Sequence, residues 1–123
     1  MSTIKDNILI DVKEQIGIST DVTAFDKQIV SAINTAFMFL KRMGVGPEEG
    51  FFITLTGNEQ WTDFIEEEGP ELEAAKEYVA LKAGVIFDPS SSSVLLEAKK
   101  DTIKELEWSL NFEMDAMSDN EEV

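Results

Sequence analysis

Apolar residues recur at helical spacing in four segments of the chain, and this spacing predicts a small all-α bundle. In the first segment Ile4, Ile8, Val12 and Ile16 follow one another at four-residue steps, which gives a single apolar stripe. Glycine or proline follows the first three segments and indicates where each helix ends. A short serine run before the fourth segment is typical of a tight interhelix turn. The predicted helices span about residues 3–15, 24–43, 71–87 and 94–112.

The second predicted helix is apolar over more than one stripe. Val30, Met38 and Phe39 lie outside the stripe that Ile29, Ile33 and their neighbours form, and they widen the apolar face. Such a helix contacts more than one neighbour. Two interpretations remain open, because the helix is either central in its own bundle or turns the Phe39 side towards another subunit.

The fourth predicted helix carries a second apolar patch. Its core stripe ends with Leu106 and Leu110, whereas Trp108 and Phe112 lie off that stripe and one turn apart. The patch contacts either the end of the bundle or another subunit, since aromatic side chains concentrate the binding energy of interfaces. Phe39, Trp108 and Phe112 are therefore the candidate residues for an interface with another subunit or protein.

The middle of the chain is irregular. A loop over residues 44–50 leads into a short β-type run, Phe51-Phe52-Ile53-Thr54-Leu55-Thr56, and residues 59–65 have the pattern of a short helix. One isolated strand cannot satisfy its own backbone groups. The run is therefore expected to pair with a strand of another chain or to lie flat on the helices.

The length and composition indicate a single acidic domain whose last residues are also acidic. The 123 residues hold 10 Lys and Arg against 25 Asp and Glu, a net charge of −15, which argues against a broad phosphate-binding surface. Residues 113–123 contain five acids and no base. The expected division is a helical domain over 1–112 and a disordered tail over 113–123.

The residues needed for most site chemistry are missing from the sequence. Without Cys or His the chain has no disulfide, no zinc site of the Cys/His type and no imidazole base. No calcium loop, serine elbow or phosphate loop occurs, and the acids of residues 59–73 are best interpreted as a solvated face. The expectation is a protein that is not an enzyme, with no catalytic residue, no metal and no cofactor.

Neither a membrane span nor a targeting segment is predicted. The longest wholly apolar runs have about four residues, far short of the ~20 needed to cross a bilayer. The N-terminal residues do not place a basic stretch before an apolar run. Synthesis and assembly in the cytoplasm are expected.

Several short motifs together resemble the head-tail connector, or adaptor, proteins of tailed bacteriophages. The resemblance covers roughly residues 8–111 and includes a helix ending in Gly-Ile, a Phe-Asp-x-x-Ile helix start, a Gly-Val-Gly loop and a Trp-x-x-Phe segment. The most specific motifs are Phe87-Asp88-Pro89-Ser90-Ser91 and Lys104-Glu105-Leu106-Glu107-Trp108-x-Leu110-Asn111.

The resemblance implies a structural virion protein at the head-tail junction. Such proteins assemble as a homo-oligomeric ring beneath the portal, match its twelvefold symmetry, lengthen the DNA channel and dock the next neck or tail protein. The C-terminal end of the subunit is expected to grip the portal protein, and DNA passes through the ring without specific binding. The irregular middle segment then faces the channel or the downstream partner, with these candidate residues: Phe51, Phe52, Trp61, Glu66, Glu67 and Glu68.

Two other function classes fit parts of the sequence. A small acidic module could inhibit a DNA-binding enzyme by mimicking the charge of DNA, although broad apolar faces would be superfluous for a monomeric mimic. A hydrolase that uses two carboxylates would need one of them in an apolar pocket, and no residue pair in the sequence indicates such a pocket.

Overall fold

The computed structural model describes residues 6–87 and 93–122, with side chains as far as residue 110. Over this part the chain is an all-α fold without a sheet, which confirms the predicted class. Its helices are α1 (Ile8–Gln15), α2 (Asp26–Arg42), α3 (Trp61–Phe64), α4 (Pro70–Phe87) and α5 (Ser93–Glu122). The predicted serine turn lies outside the described residues, apart from Ser93, which begins α5.

Helix α4 occupies the centre of the bundle and packs against both α2 and α5. The small side chains of Ala75 and Ala83 are fully buried, which lets neighbouring helices approach closely. The predicted stripes supply most of the core, since each buried apolar side chain contributes about 1.5–3 kcal/mol. Fully buried residues include Ile8, Val12, Ile29, Ile33, Phe37, Leu40, Leu72, Tyr78 and Val79. Ile86 follows the buried Val79 and Ala83 at helical spacing but is 43% exposed because it lies at the end of α4.

A backbone hydrogen bond caps the start of α2, and a glycine motif caps its end. At the start, the carbonyl oxygen of Thr23 accepts from the Asp26 N–H at 3.2 Å, and no side chain caps the helix. At the other end Gly44 adopts φ +82°. Its N–H and that of Val45 donate to the carbonyls of Lys41 and Leu40, as in a Schellman motif.

The predicted β-type run is not a strand, and it lies flat on α2. The side-chain amide of Asn34 accepts from the Ile53 N–H at 2.7 Å and donates to the Ile53 carbonyl at 3.0 Å. A helix side chain thus satisfies the backbone groups that a neighbouring strand would otherwise pair. Within the described residues the only β-type contact is an isolated bridge between Asn7 and Gln60. Of the two alternatives predicted for this run, a partner strand in another chain or a position flat on the helices, the structure has the second.

A buried lysine, which the sequence patterns did not single out, joins α1 to α2. Lys13 is 2% exposed, and its ammonium donates to the Val22 carbonyl at 2.7 Å and the Thr20 carbonyl at 3.4 Å. It also contacts the Asp26 carboxylate at 2.8 Å. These three acceptors match the three N–H groups of the ammonium and hold the connection between the two helices.

Helix α5 continues to Glu122, beyond the predicted end at Phe112. No proline or glycine interrupts residues 113–122, and several of these residues, such as Glu and Met, are good helix formers, so the helix propagates. The predicted end at Phe112 is therefore too early. The division into a domain over 1–112 and a tail over 113–123 stays a prediction.

Candidate assembly surfaces

Large apolar side chains remain exposed at three places on the described surface. Met38, Phe52 and Leu55 lie together on α2 and the segment beside it. A second group surrounds the start of α2 and the end of α4, where the rings of Phe25 and Phe87 contact each other with centroids 5.8 Å apart. The third group lies along α5 and comprises Val94, Leu95 and Trp108. A bundle that exposes three such groups has surface available for partners.

The first group has cations at both ends, and we call it the α2 face. Two adjoining depressions in the surface share Asn34 and Met38 as lining residues. One depression also includes Lys41 and the exposed acid Glu49, and the other includes Lys27. The α2 face is defined by Lys27, Met38, Lys41, Phe52 and Leu55, all of which are exposed.

The α2 face is firmly positioned by the contacts beneath it. Besides the two Asn34 bonds to Ile53, the Glu59 carboxylate accepts from the backbone N–H of Thr54 at 3.1 Å and from its hydroxyl at 2.8 Å. The Phe51 ring packs on Phe37 with centroids 5.1 Å apart. Phe52 and Leu55 are therefore held outward by neighbours that are fixed on the core.

The exposed tryptophan of α5 lies in a row with three acids, and the exposed Lys100 and Lys104 lie beside this row. We call the row that contains Trp108 the α5 face. Trp108 is 70% exposed, the second most exposed large apolar side chain on the described surface after Val94 at 79%. Helical spacing places the exposed residues of one row at 94, 97, 101, 105 and 108. The α5 face is defined by Val94, Glu97, Asp101, Glu105 and Trp108, all exposed.

Helix α5 is attached to α4 by a narrow apolar stripe and one polar cluster. Ile103 and Leu110 are its buried side chains within the described part. The Tyr78 hydroxyl donates to the Glu107 carboxylate at 2.9 Å, and the Lys82 ammonium lies 4.0 Å from the same carboxylate. Burial and, secondarily, the negative charge of Glu107 raise the pKa of Tyr78 well above its ordinary value. Tyr78 therefore remains a neutral hydrogen-bond donor at physiological pH.

The predicted interface residues occupy different environments. Trp108 is exposed, as an interface residue should be. Phe39 is half-buried, with the Lys82 ammonium 4.5 Å and the Arg42 guanidinium 5.6 Å from its ring centroid. These cations cover part of the ring and reduce what it can offer to a partner. The side chain of Phe112 lies outside the described residues.

Among the predicted channel or partner residues, Trp61 is a core residue instead. It is fully buried against Phe37, with ring centroids 6.2 Å apart, and its indole N–H donates to the Asp11 carboxylate at 2.9 Å. The Trp-x-x-Phe spacing places both aromatic residues inward on α3, because Phe64 also packs on Phe37 at 4.7 Å. Trp61 therefore cannot contact DNA or a partner without unfolding.

The other candidates of the middle segment divide by exposure. Phe51 is half-buried in the aromatic cluster, whereas Phe52 is 68% exposed. Glu66, Glu67 and Glu68 are all exposed in the connection between α3 and α4. Sequence reasoning missed Asn34 as the residue that fixes this segment, because helical periodicity does not fix the position of its partner, Ile53, in an irregular segment.

The described residues contain no group of three or more acidic, Cys or His side chains arranged to hold a metal ion. None of the described helices has the length and apolarity needed to cross a membrane. A further depression in the surface is lined by residues of α1, α4 and α5, among them Asp11, Glu14, Glu73 and Glu77.

A sequence model of a phage protein family, described as phage connector protein, matches residues 8–117. The chain belongs to the phage connector protein family. The match covers most of the chain, from the first turn of α1 into the C-terminal part of α5. No curated protein and no solved structure matches.

Membership of the connector family gives the chain a structural role in the phage particle. The family is a structural one and is not known for catalysis. Its role implies contacts with portal and tail proteins, so exposed apolar surface is expected on a connector subunit. The predicted resemblance to connector proteins is confirmed by the family match.

Proposed function

We propose that this connector protein assembles as a ring beneath the portal, extends the DNA channel and joins the head to the neck or tail. The family match over residues 8–117 carries the proposal. The exposed α2 and α5 faces support it, because a ring subunit must contact two neighbours as well as the proteins above and below. Assembly takes place in the host cytoplasm, and the ring follows the portal's twelvefold symmetry.

The acidic charge suits a channel through which DNA moves without being held. Glu66, Glu67 and Glu68 are three consecutive exposed acids in a chain of net charge −15. Like charges repel over about 8 Å at physiological ionic strength, so carboxylates that line a channel would keep phosphates from adhering. In the proposed ring this connection, together with Phe52, faces the channel or the downstream protein.

The C-terminal part of α5 is the proposed contact with the portal protein. The helix extends to Glu122, which gives the subunit an arm that continues well past its last described core residue, Leu110. Phe112 lies on this arm and is the proposed apolar contact there. Trp108, closer to the bundle and 70% exposed, is the proposed contact with neighbouring subunits.

Electron microscopy of the protein mixed with isolated portal rings tests the proposal directly. We expect an added ring of density on one end of the portal, with the channel continued through it. A portal that remains bare at saturating connector concentration would contradict the function. A truncated chain that ends after Leu110 serves as the matched variant, and we expect it to lose portal binding while keeping the helical fold.

Neutralising the three acids tests the role of charge in the channel. The variant with Glu66, Glu67 and Glu68 all changed to Gln should assemble normally, because all three side chains are exposed and make no core contact. We expect altered rates of genome packaging or ejection. Unchanged rates would mean that these three acids do not line the channel. The variant with Glu48 and Glu49 both changed to Gln is the control, because these acids lie in another exposed loop.

A DNA-mimic inhibitor is disfavoured by the exposed apolar side chains. Met38, Phe52 and Trp108 would add aggregation risk to a monomeric mimic and would not contribute to its charge pattern. A ring on the portal, in contrast, would cover them.

A further inference from the structure

Helix α5 buries few apolar side chains for its length. Six side chains of α4 are buried, whereas over an equal length, residues 93–110, α5 buries only Ile103 and Leu110. Among the largest fully buried side chains of the described residues, only Leu110 lies on α5, and all the others lie between residues 8 and 79. Since the free energy that holds an element in place scales with the apolar surface that it buries, α5 is the most weakly held of the long helices α2, α4 and α5.

The other helices contact one another without α5. Lys13 on α1 pairs with Asp26 at the start of α2. Trp61 on α3 donates its indole N–H to Asp11 on α1 and packs against Phe37 on α2. Helix α4 packs along α2. Residues 6–87, which we call the α1–α4 unit, therefore keep these contacts when α5 moves away.

The polar contacts between α4 and the Glu107 carboxylate can be exchanged for water. The Glu107 side chain is 33% exposed and that of Lys82 is 23% exposed, so both charges already reach solvent. The Lys82 ammonium also lies 4.5 Å from the centroid of the Phe39 ring, and it keeps this contact with α2 when Glu107 leaves. Water replaces Glu107 as the acceptor of the Tyr78 hydroxyl. Breaking these contacts thus leaves no charge buried without a partner, which would be strongly destabilising.

We propose that α5 separates from the bundle as one unit while the α1–α4 unit stays folded, and that the Tyr78–Glu107 hydrogen bond holds α5 in its closed position. Single domains of this size usually unfold in one cooperative transition, so the proposal predicts a departure from two-state behaviour. Separation uncovers the side of α4 that carries Tyr78.

The separation gives the subunit a way to redirect α5, and this role rests on the proposed function. In the proposed ring the C-terminal part of α5 contacts the portal protein. An α5 that separates alone can turn towards the portal while the α1–α4 unit keeps its fold and its contacts with neighbouring subunits. The portal then binds the open form, and its apparent affinity is reduced in proportion to the fraction of subunits that are open.

Hydrogen exchange of the full-length chain, measured by mass spectrometry without the portal, tests the separation itself. The amides of residues 99–110 should exchange as a group, at least about tenfold faster than the slowest amides of α2 and α4. Equal rates for the slowest amides of α2, α4 and α5 would show that α5 leaves only when the whole chain unfolds, and would overturn the proposal.

The aromatic residues provide a second measurement. Tyr78 is the single tyrosine, and its ring is fully buried beside α5. In the variant W108F the buried Trp61 is the one remaining tryptophan and reports the α1–α4 unit. Nitration of Tyr78 by tetranitromethane, with no cysteine to compete, should therefore become rapid at urea concentrations that leave the Trp61 fluorescence unchanged. Coincident transitions of the two residues would contradict the separation.

The variant Y78F tests the hydrogen bond that holds α5 closed. It keeps the buried ring but loses the bond to Glu107, so the open fraction and the exchange of residues 99–110 should rise about fivefold. The matched control is N34A, which removes the two bonds to Ile53 within the α1–α4 unit. It should accelerate the Ile53 amide and leave α5 unchanged. Equal acceleration of α5 in both variants would show that the Tyr78–Glu107 bond has no special role.

Binding to isolated portal rings tests the role of the open form. Y78F should bind the portal with an apparent affinity about fivefold higher than the unchanged chain, because its open fraction is larger, and N34A should bind as the unchanged chain does. Unchanged binding of Y78F, together with faster exchange of α5, would retain the separation and disprove its role at the portal. A portal that none of these chains binds would instead disprove the proposed function, and the exchange measured without the portal would still decide whether α5 separates.

Discussion

The two sides of the bundle are attached to the central helix in different ways. On the α2 side, polar side chains reach backbone groups of other segments, as Asn34 does with Ile53 and Lys13 with Val22. On the α5 side, the described helix is held by a narrow apolar stripe and by Tyr78 with Glu107. The first arrangement fixes irregular chain in place, whereas the second leaves a long helix mostly exposed. A connector subunit thus has one surface that several segments hold in place and another that lies on a single exposed helix.

The largest effect is expected where a buried charge would lose its partner. In Asp26→Ala the Lys13 ammonium stays 2% exposed but loses its carboxylate, and the expected cost is about 3 kcal/mol of the free energy of unfolding. Urea denaturation followed by circular dichroism measures this loss. The double variant K13M/D26A removes both charges and should recover more than half of it. Equal losses in the single and double variants would show that the unpaired charge of Lys13 is not what destabilises Asp26→Ala.

The next effect concerns the segment that carries Phe52 and Leu55. Asn34→Ala leaves the Ile53 N–H and carbonyl without their described partners, at an expected cost of about 1–3 kcal/mol. We also expect the Ile53 amide to exchange with solvent much faster, because the segment detaches from α2. Hydrogen exchange with NMR detection measures this directly.

The neighbouring Thr35→Ala variant is the control for Asn34, since the Thr35 hydroxyl donates only to the Ser31 carbonyl within α2. It should change stability by less than about 0.5 kcal/mol and leave the Ile53 amide protected. Protection that survives in Asn34→Ala would show that aromatic packing alone holds the segment.

A smaller effect is expected at the attachment of α5. Tyr78→Phe removes the hydrogen bond to Glu107 but keeps the buried ring, and should cost about 1 kcal/mol. The comparison with Asn34→Ala is informative, because loosening α5 should leave the Ile53 amide protected. Thermal unfolding measures the loss, and Lys82→Met, which removes the more distant charge 4.0 Å from Glu107, should cost less.

The raised pKa of Tyr78 gives this attachment a dependence on pH. In the unfolded chain the phenol ionises near its ordinary value of 10.0, whereas in the folded protein it holds its proton to higher pH. The resulting stabilisation is complete below pH 10 and is lost as the pH rises above that value. Tyr78 is the single tyrosine, so tyrosinate absorbance reports it alone. Ionisation of the folded protein near pH 10 would contradict the buried hydrogen bond.

The sequence predicted the regular parts of this fold and missed the contacts made by single polar side chains. The stripes around Val12, Ile33 and Val79 identified the core because helical periodicity reports burial directly. Asn34 and Lys13 could not be assigned, since their partners lie in irregular segments whose positions periodicity does not fix. Trp61 was misplaced for the same reason, because whether α3 turns it inward depends on Asp11 and Phe37.

The candidate surfaces were predicted to a lesser extent. Trp108 was identified because it is an apolar residue outside the core stripe of its helix, and the sequence of that one helix is enough to show this. The α2 face combines a helix with a segment that folds back over it, so its apolar residues, Met38, Phe52 and Leu55, are scattered along the sequence. Only the packing of that segment reveals them as one surface.

The smallest effect on folding, and the sharpest distinction between the two faces, is expected from reversing their charges. The variants K27E/K41E and E97K/D101K change only exposed side chains, and each should alter the free energy of unfolding by less than about 0.5 kcal/mol. If these two faces meet between the subunits of the proposed ring, each variant should weaken assembly with itself, measured by sedimentation at low ionic strength, because each would then oppose like charges. In an equimolar mixture, one contact between the two variants joins the two unchanged faces and the other joins the two reversed faces. Both contacts pair opposite charges, so the mixture should regain the assembly that each variant has lost, and added salt should reduce this difference. Assembly that is equally weak in the mixture and in the separate variants would mean that the charges of these faces do not meet.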